Sequence, residues 1–284
     1  MQKIWVCGAN GQIGKAINQV VNKLEYEMLD TDIDTLDITD TDEVLRFGEM
    51  NRPDIIINCT GMTDIKACEE NPKMAFKVNA LGARNLSIIA RTLGAKFVQL
   101  STDDVFDGQS NKPYNEFDVT NPVTMYGKSK LAGENYVKEF ASKHFIIRST
   151  WVYGDGENFV LDFLKKVDEG AHLSIAEDHL GSPTSARDLA EFILYLVKTS
   201  EYGTYHATNK GVCSRYEFAK EILALTGKTA DMQAVPLQES DFSSVRPAYA
   251  VLDNFIMSII DIYQFADWKT SLREYLQERG LLHE

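Results

Sequence analysis

Three glycines spaced three apart, Gly8, Gly11 and Gly14, follow the apolar run Ile4-Trp5-Val6-Cys7 and open a helical pattern over 14–22. A strand that turns at once into a helix needs a turn with little side-chain bulk. The helix start then leaves bare N–H groups facing an anion. The spacing is G-x-x-G-x-x-G rather than the more familiar G-x-G-x-x-G. An ordinary glycine-containing βα loop is the plainer alternative, but strand before and helix after favour a dinucleotide pyrophosphate site. Gly8, Asn10, Gly11, Gln12 and Ile13 are its candidate residues.

The same alternation continues along the chain. Residues 26–29 read as a strand, 41–50 as a helix, 53–59 as a buried strand, 72–93 as a long amphipathic helix and 96–101 as a strand. A helix carrying Tyr126 and Lys130 then runs to about 141, followed by a strand at 144–148. This βαβα order predicts an α/β fold, a Rossmann-like doubly wound parallel sheet covered on both faces. Beyond Trp151 the pattern is less regular: helices at 158–169, 186–198, 214–226 and 267–278, strands at 174–176 and 203–207. Ser214 reads as an N-cap, with Glu217 completing a capping box. The expected organisation is a dinucleotide-binding domain of 1–150, rejoined by 185–205, and a smaller α/β substrate lobe of 151–184 and 206–284.

The net charge of −13 argues against nucleic acid as a partner, since phosphate backbones need clustered Lys and Arg. No apolar run approaches the ~20 residues that span a bilayer, so no membrane association is expected. The strand pattern begins within three residues of Met1, so no leader is expected and the cytoplasm is the default location. The four cysteines form no C-x-x-C pair, and Cys7 and Cys59 read as reduced thiols in apolar strands.

An acid near the end of the second strand ordinarily binds the adenosine ribose. Asp30 stands 22 residues after Gly8, with Asp32 as competitor. Either carboxylate repels a 2′-phosphate, and no Arg or Lys lies between Asp30 and Glu43, which favours NADH over NADPH; Lys15, at the start of the first helix, tempers this. Asn58-Cys59-Thr60-Gly61 closes the strand at 53–59 with small residues that let a cofactor lie across the sheet edge.

Tyr126 and Lys130 are four residues apart, on one helical face. A cation beside a phenol favours its ionised form and pulls its pKa down from ~10, toward the range useful for proton transfer. Ser101-Thr102-Asp103 ends a strand shortly before, and a Thr102 hydroxyl there could hold a substrate carbonyl near the phenol. The plainer role of Thr102 is to cap a strand end. Convergence at the carboxyl edge of one sheet, where open α/β folds bind ligands, favours a Thr–Tyr–Lys set.

Further blocks accompany these: Leu36-Asp37-Ile38-Thr39, 78–86, Val105-Phe106-Asp107-Gly108, 148–154, Gly181-Ser182-Pro183-Thr184, Gly203-Thr204-Tyr205-His206 and Arg246-Pro247. Together with 8–14, 101–103 and 126–130 they span nearly the whole chain in order. The chain resembles the extended short-chain dehydrogenase/reductases, and within them is most similar to the dTDP-4-dehydrorhamnose reductase family. The resemblance implies hydride transfer from NAD(P)H to the C4 carbonyl of a dTDP-4-keto-6-deoxy-L-sugar. It implies that Tyr126 protonates the alkoxide, Lys130 lowers the Tyr126 pKa and binds the nicotinamide ribose, and Thr102 polarises the carbonyl. Asp37, Ile38, Cys59, Thr60, Gly61, Thr63 and Asn79 join the implied cofactor set. Asp103, Asp104, Val105, Phe106, Trp151, Asn158, Phe159 and Arg246 form the implied substrate set. Lobe packing is the alternative role of Trp151 and Phe159.

Three positions depart from that family. Asp104 stands where it usually has Tyr, and Thr63-Asp64-Ile65-Lys66 replaces Thr-x-Val-Asp. Either the sugar differs in detail, or Asp104 and Lys66 pair. Ala16 stands where some members place a Glu for a Mg²⁺-bridged dimer, so no metal is expected, and the chain is expected as monomer or homodimer. A related 4-ketosugar reductase or epimerase is an alternative. So is a non-catalytic regulatory subunit, against which Thr102, Tyr126 and Lys130 all argue.

Overall fold

The computed structural model describes residues 1–242 and 246–283. Six strands form one parallel sheet: β1 (Gln2–Cys7), β2 (Tyr26–Thr31), β3 (Ile55–Asn58), β4 (Lys96–Thr102), β5 (His144–Ser149) and β6 (Gly203–His206), in spatial order β6-β5-β4-β3-β1-β2. The helices that matter for the site are α1 (Gln12–Val20), α2 (Thr41–Asn51), α3 (Ala83–Leu93), α4 (Met125–Phe140), α5 (Phe159–Asp168), α6 (Ala186–Leu196), α7 (Arg215–Thr226) and α8 (Trp268–Glu278).

Strand side chains alternate between faces, so each buried strand feeds two cores. Ile4, Val6, Ile55, Ile57, Val98, Leu100, Phe145 and Ile147 point to one side, where Ile17 of α1 and Leu189, Phe192 and Ile193 of α6 cover them. Trp5, Cys7, Ile56, Phe97 and Ile146 point to the other, against Val44 of α2, Leu86 and Ile89 of α3 and Val137 of α4. This is the doubly wound α/β arrangement. The lobe has its own core, in which Trp151, Phe163, Phe218, Ile222, Trp268 and Leu272 meet. The chain leaves the sheet after β5 and returns through α6 and β6, and Met257 and Phe265 pack back on the first core.

The helix at 72–93 is not uniform. It runs Pro72–Phe76, then a π-helical Lys77–Gly82, then α3. The wide turn is held by the Asn79 carboxamide. Its Oδ1 accepts from Met62 N, and its Nδ2 donates to Met62 O and to Ser129 Oγ on α4. A Cβ on Gly133 would lie 2.4 Å from the Asn79 carbonyl oxygen, so α4 offers a bare face to this bulge. π-bulges of this kind recur beside functional sites. Two short helices, Ile65–Glu70 and Phe255–Ile260, are also absent from the sequence reading. At Ser214 the expected capping box is present, with both reciprocal bonds formed.

Candidate active site

The glycine turn lies at the carboxyl edge of the sheet. Gly8 has φ +80°, and a Cβ there would sit 2.9 Å from Thr60 N. A Cβ on Gly14 would sit 2.3 Å from Gly8 O, so helix and turn touch main chain to main chain. The α1 N-cap, Gly11, has no side chain to cap the first-turn N–H groups. That end opens on a cavity of about 590 Å³ lined by Asn10, Gly11, Gln12, Ile13, Cys59, Thr60, Gly61 and Thr63, and also by Thr102, Asp103, Tyr126 and Lys130. Gln12 Oε1, Thr150 Oγ1 and Trp151 Nε1 are buried without protein partners. A dinucleotide with its pyrophosphate on the helix start fits this cradle.

The second-strand acid at the turn is Asp32, whose Oδ2 accepts from Asn10 N at 2.9 Å; Asp30 is exposed on β2. Asp37, Ile38 and Asn79 stand outside the cavity wall. Asp37 accepts from Thr39 N, and this bonding, with the Lys77 charge, holds its carboxyl below the usual range against the opposing effect of burial. Ile38 packs where a Cβ on Gly82 would strike it. Asn79 braces Met62, next to Gly61.

Thr124 caps α4 by accepting from Gly127 N at 2.9 Å, and buries Tyr126 and Lys130 on one face. The Thr102 hydroxyl accepts from Asp104 N and donates to Asp103 Oδ1 at 3.0 Å. The electrostatics differ from the sequence expectation. Burial pushes the Tyr126 phenol well up, Asp104 adds to this, and Arg246 and Thr102 oppose it. The cation acting on the phenol is thus Arg246, 6.0 Å from the ring centre, rather than Lys130. Burial brings the Lys130 amine down to about 8, with Glu134 and Cys59 resisting.

Asp104 is 1% exposed, and Arg246 Nε lies 3.7 Å from its Oδ2. Lys66 is instead an exposed side chain paired with Glu70, which corrects the expected Asp104–Lys66 pair. Burial, and next Asp103, push the Asp104 carboxyl up to about 7 against the pull of Arg246. A carboxyl raised in this way stabilises the fold only when protonated. Its ionisation costs stability progressively from about pH 4 to about pH 7, and fully above that. Asp104→Asn should therefore melt several degrees above the native chain at pH 8 and level with it at pH 4, while its KM for the substrate rises because Arg246 loses its tether. Equal melting at both pH values would contradict this.

The lobe closes the far side. A second cavity of about 1470 Å³ is lined by Thr63, Lys66, Asn158, Phe159, His179, Phe242, Arg215 and Arg246, among others. Arg215 and Arg246 line both cavities. Trp151 has φ 47°, and its indole lies where a Cβ on Gly181 would be 2.5 Å from Cε2. Arg215 sits 3.6 Å over the Trp151 ring and 4.7 Å over Phe159. Burial, then Arg246, lowers its pKa to about 9. Phe159 stacks on Phe163 and Phe218, so Trp151 and Phe159 both pack the lobe and wall the cleft. Asn158 caps α5 and donates to Gly154 O. Val105 and Phe106 are buried behind the site, Phe106 stacked on Tyr114. Arg215 and His179 escaped the sequence reading. The only local mark was the capping box at Ser214, which puts Arg215 at the first position of α7.

A tyrosine and lysine one turn apart, beside a threonine in a cavity that opens on a glycine turn and a helix start, define an extended short-chain dehydrogenase/reductase. The profile of the RmlD substrate binding domain matches residues 1–280, and the chain belongs to that family. The spore coat polysaccharide biosynthesis protein SpsK of Bacillus subtilis is 36% identical over 281 residues, covering 99% of both chains. The solved dTDP-4-dehydrorhamnose reductase of Clostridium acetobutylicum superposes with a TM-score of 0.96 at 40% identity, covering 98% of this chain and 100% of that one. The Bacillus anthracis dTDP-4-dehydrorhamnose reductase, solved in complex with NADP, gives 0.95 at 36% identity and the same coverage. Among the described residues, no helix is long and apolar enough to cross a membrane, and no group of three or more His, Cys, Asp or Glu could hold a metal ion.

Proposed function

We propose that the chain reduces the C4 ketone of dTDP-4-dehydro-L-rhamnose with NAD(P)H, giving dTDP-L-rhamnose, with Tyr126 as proton donor. The observation that carries this is the meeting of Thr102, Tyr126 and Lys130 on the wall of the cavity into which the α1 N-terminus opens. The reduced nicotinamide, bound there, supplies the hydride. Gly11, Gln12 and Ile13 would hold its pyrophosphate, and Lys130 its nicotinamide ribose. Thr102, turning its hydroxyl from Asp103 Oδ1, would donate to the ketone oxygen as charge develops on it. Tyr126, buried and fully protonated at neutral pH, delivers the proton. Arg215 and Arg246 match the substrate diphosphate in charge and place, with the sugar against Trp151 and the base toward Phe159. In this reading 1–150 with 185–205 holds the cofactor, and 151–184 with 206–284 the sugar nucleotide.

The test is oxidation of the reduced cofactor with dTDP-4-keto sugar by the native chain and by Tyr126→Phe. Absence of turnover in both would favour a regulatory subunit and end this proposal.

Asp32 at the turn and Asp30 beside it favour NADH. A kcat/KM several-fold higher with NADH is expected, and a higher value with NADPH would refute the preference. Buried Ala16 offers no ligand to a metal, so activity should survive EDTA in a monomer or homodimer. Loss to EDTA and recovery with Mg²⁺ would refute that.

A further inference from the structure

Glu134 lies one turn beyond Lys130 on the buried face of α4 and is 0% exposed. Ser101 Oγ donates to its Oε1 at 2.6 Å, and Arg148 donates from Nε to Oε1 at 2.8 Å and from Nη2 to Oε2 at 2.7 Å. Lys138 Nζ stands 3.5 Å from Oε2. Ser101 directly precedes Thr102 on β4, and Arg148 stands on β5, three residues before Trp151. One carboxylate thus ties the helix that bears Tyr126 and Lys130 to the strand that bears Thr102 and to the strand that leads into Trp151. Stability alone does not account for such a group, because a buried ion pair gains little over apolar packing of the same volume.

We propose that Glu134 is a positioning residue of the reaction, fixing Thr102, Tyr126 and Lys130 relative to one another through its bonds to β4 and β5. This rests on the reading of Tyr126 as the proton donor and of Lys130 as the cation that holds the nicotinamide ribose. Glu134 is the largest influence that resists the effect of burial on the Lys130 amine, with Cys59 at the end of β3 the lesser one. On its own helix the amine has Tyr126 as its other titratable neighbour one turn away. Around Glu134 stand Arg148 from β5, Lys138 from α4 and, beyond Arg148, His206 from β6, whose imidazole burial and Arg148 keep neutral.

The test is the pH profile of kcat and kcat/KM for Glu134→Gln with dTDP-4-keto sugar and saturating cofactor. Gln keeps the size and one acceptor oxygen but removes the charge. Without that charge Lys130 loses its proton at lower pH. The basic limb should move down by about one unit. Above it kcat should fall about tenfold, with KM for the sugar nucleotide unchanged and the limb restored in Glu134→Asp. If the unpaired Arg148 prevents folding, Glu134→Gln/Arg148→Gln removes both charges at once and should show the same displaced limb. An unmoved limb in the folded variant, or losses of melting temperature, kcat and KM together without a limb shift, would overturn the proposal. Undiminished turnover by Tyr126→Phe would instead remove the reading on which it rests.

Discussion

Tyr126→Phe is expected to lower kcat by roughly 10²–10⁴-fold, the range spanned by positioned general acids. The ring stays, so its packing beside Ile65, Cys68 and Ala75 is retained and the melting temperature should hold. Cofactor affinity should also hold, because the cradle at the start of α1 is made of main chain. The loss should therefore appear in kcat rather than in the cofactor dissociation constant. Burial and Asp104 keep the phenol protonated throughout the working range, so it should contribute no limb to the native pH profile. A basic limb is then expected from Lys130, whose amine burial brings down to about 8. A Phe variant that retained a tenth or more of native kcat would mean that the proton comes from elsewhere.

Gly127→Ala should be strongly damaging to both stability and turnover. A Cβ there would lie 2.0 Å from Asp104 O and 2.9 Å from Asp104 C, contacts that no rotamer change relieves because both atoms are backbone. The Asp103–Val105 turn must then move off α4, taking Thr102 away from Tyr126. Overpacking of this kind costs about 1–3 kcal/mol. A displacement near 1 Å between reacting groups costs on the order of 10²-fold in rate. Both losses are expected together, read by thermal melting and by kcat; native-like values of either would show that the turn can yield.

Much of this site could be read from the chain. The glycine turn works at sequence level because strand, turn and helix are contiguous there, and Tyr126 and Lys130 because a helix brings i and i+4 together. Where function depends on residues far apart in the chain, local patterns fell short. Arg246 was in view from the family pattern, but the partner of Asp104 is Arg246 rather than Lys66, because the buried acid takes the cation that the fold brings beside it. Asp30 and Asp32 share a strand periodicity, and only the hydrogen bond to Asn10 N separates them. Arg215 is one arginine among many until the lobe folds it over Trp151. The π turn at 77–82 was invisible for the same reason: what stabilises it is Asn79 reaching Met62 and Ser129.

The nearest neighbour at each of Gly8, Gly14, Gly127 and Gly133 is a main-chain atom, whereas the outer chamber is walled by long side chains such as Lys66, Lys165 and Phe242. The two regions therefore differ in how freely they can drift over generations. A replacement among the flexible walls can be absorbed by its neighbours' rotamers, whereas one in the inner frame has to displace backbone.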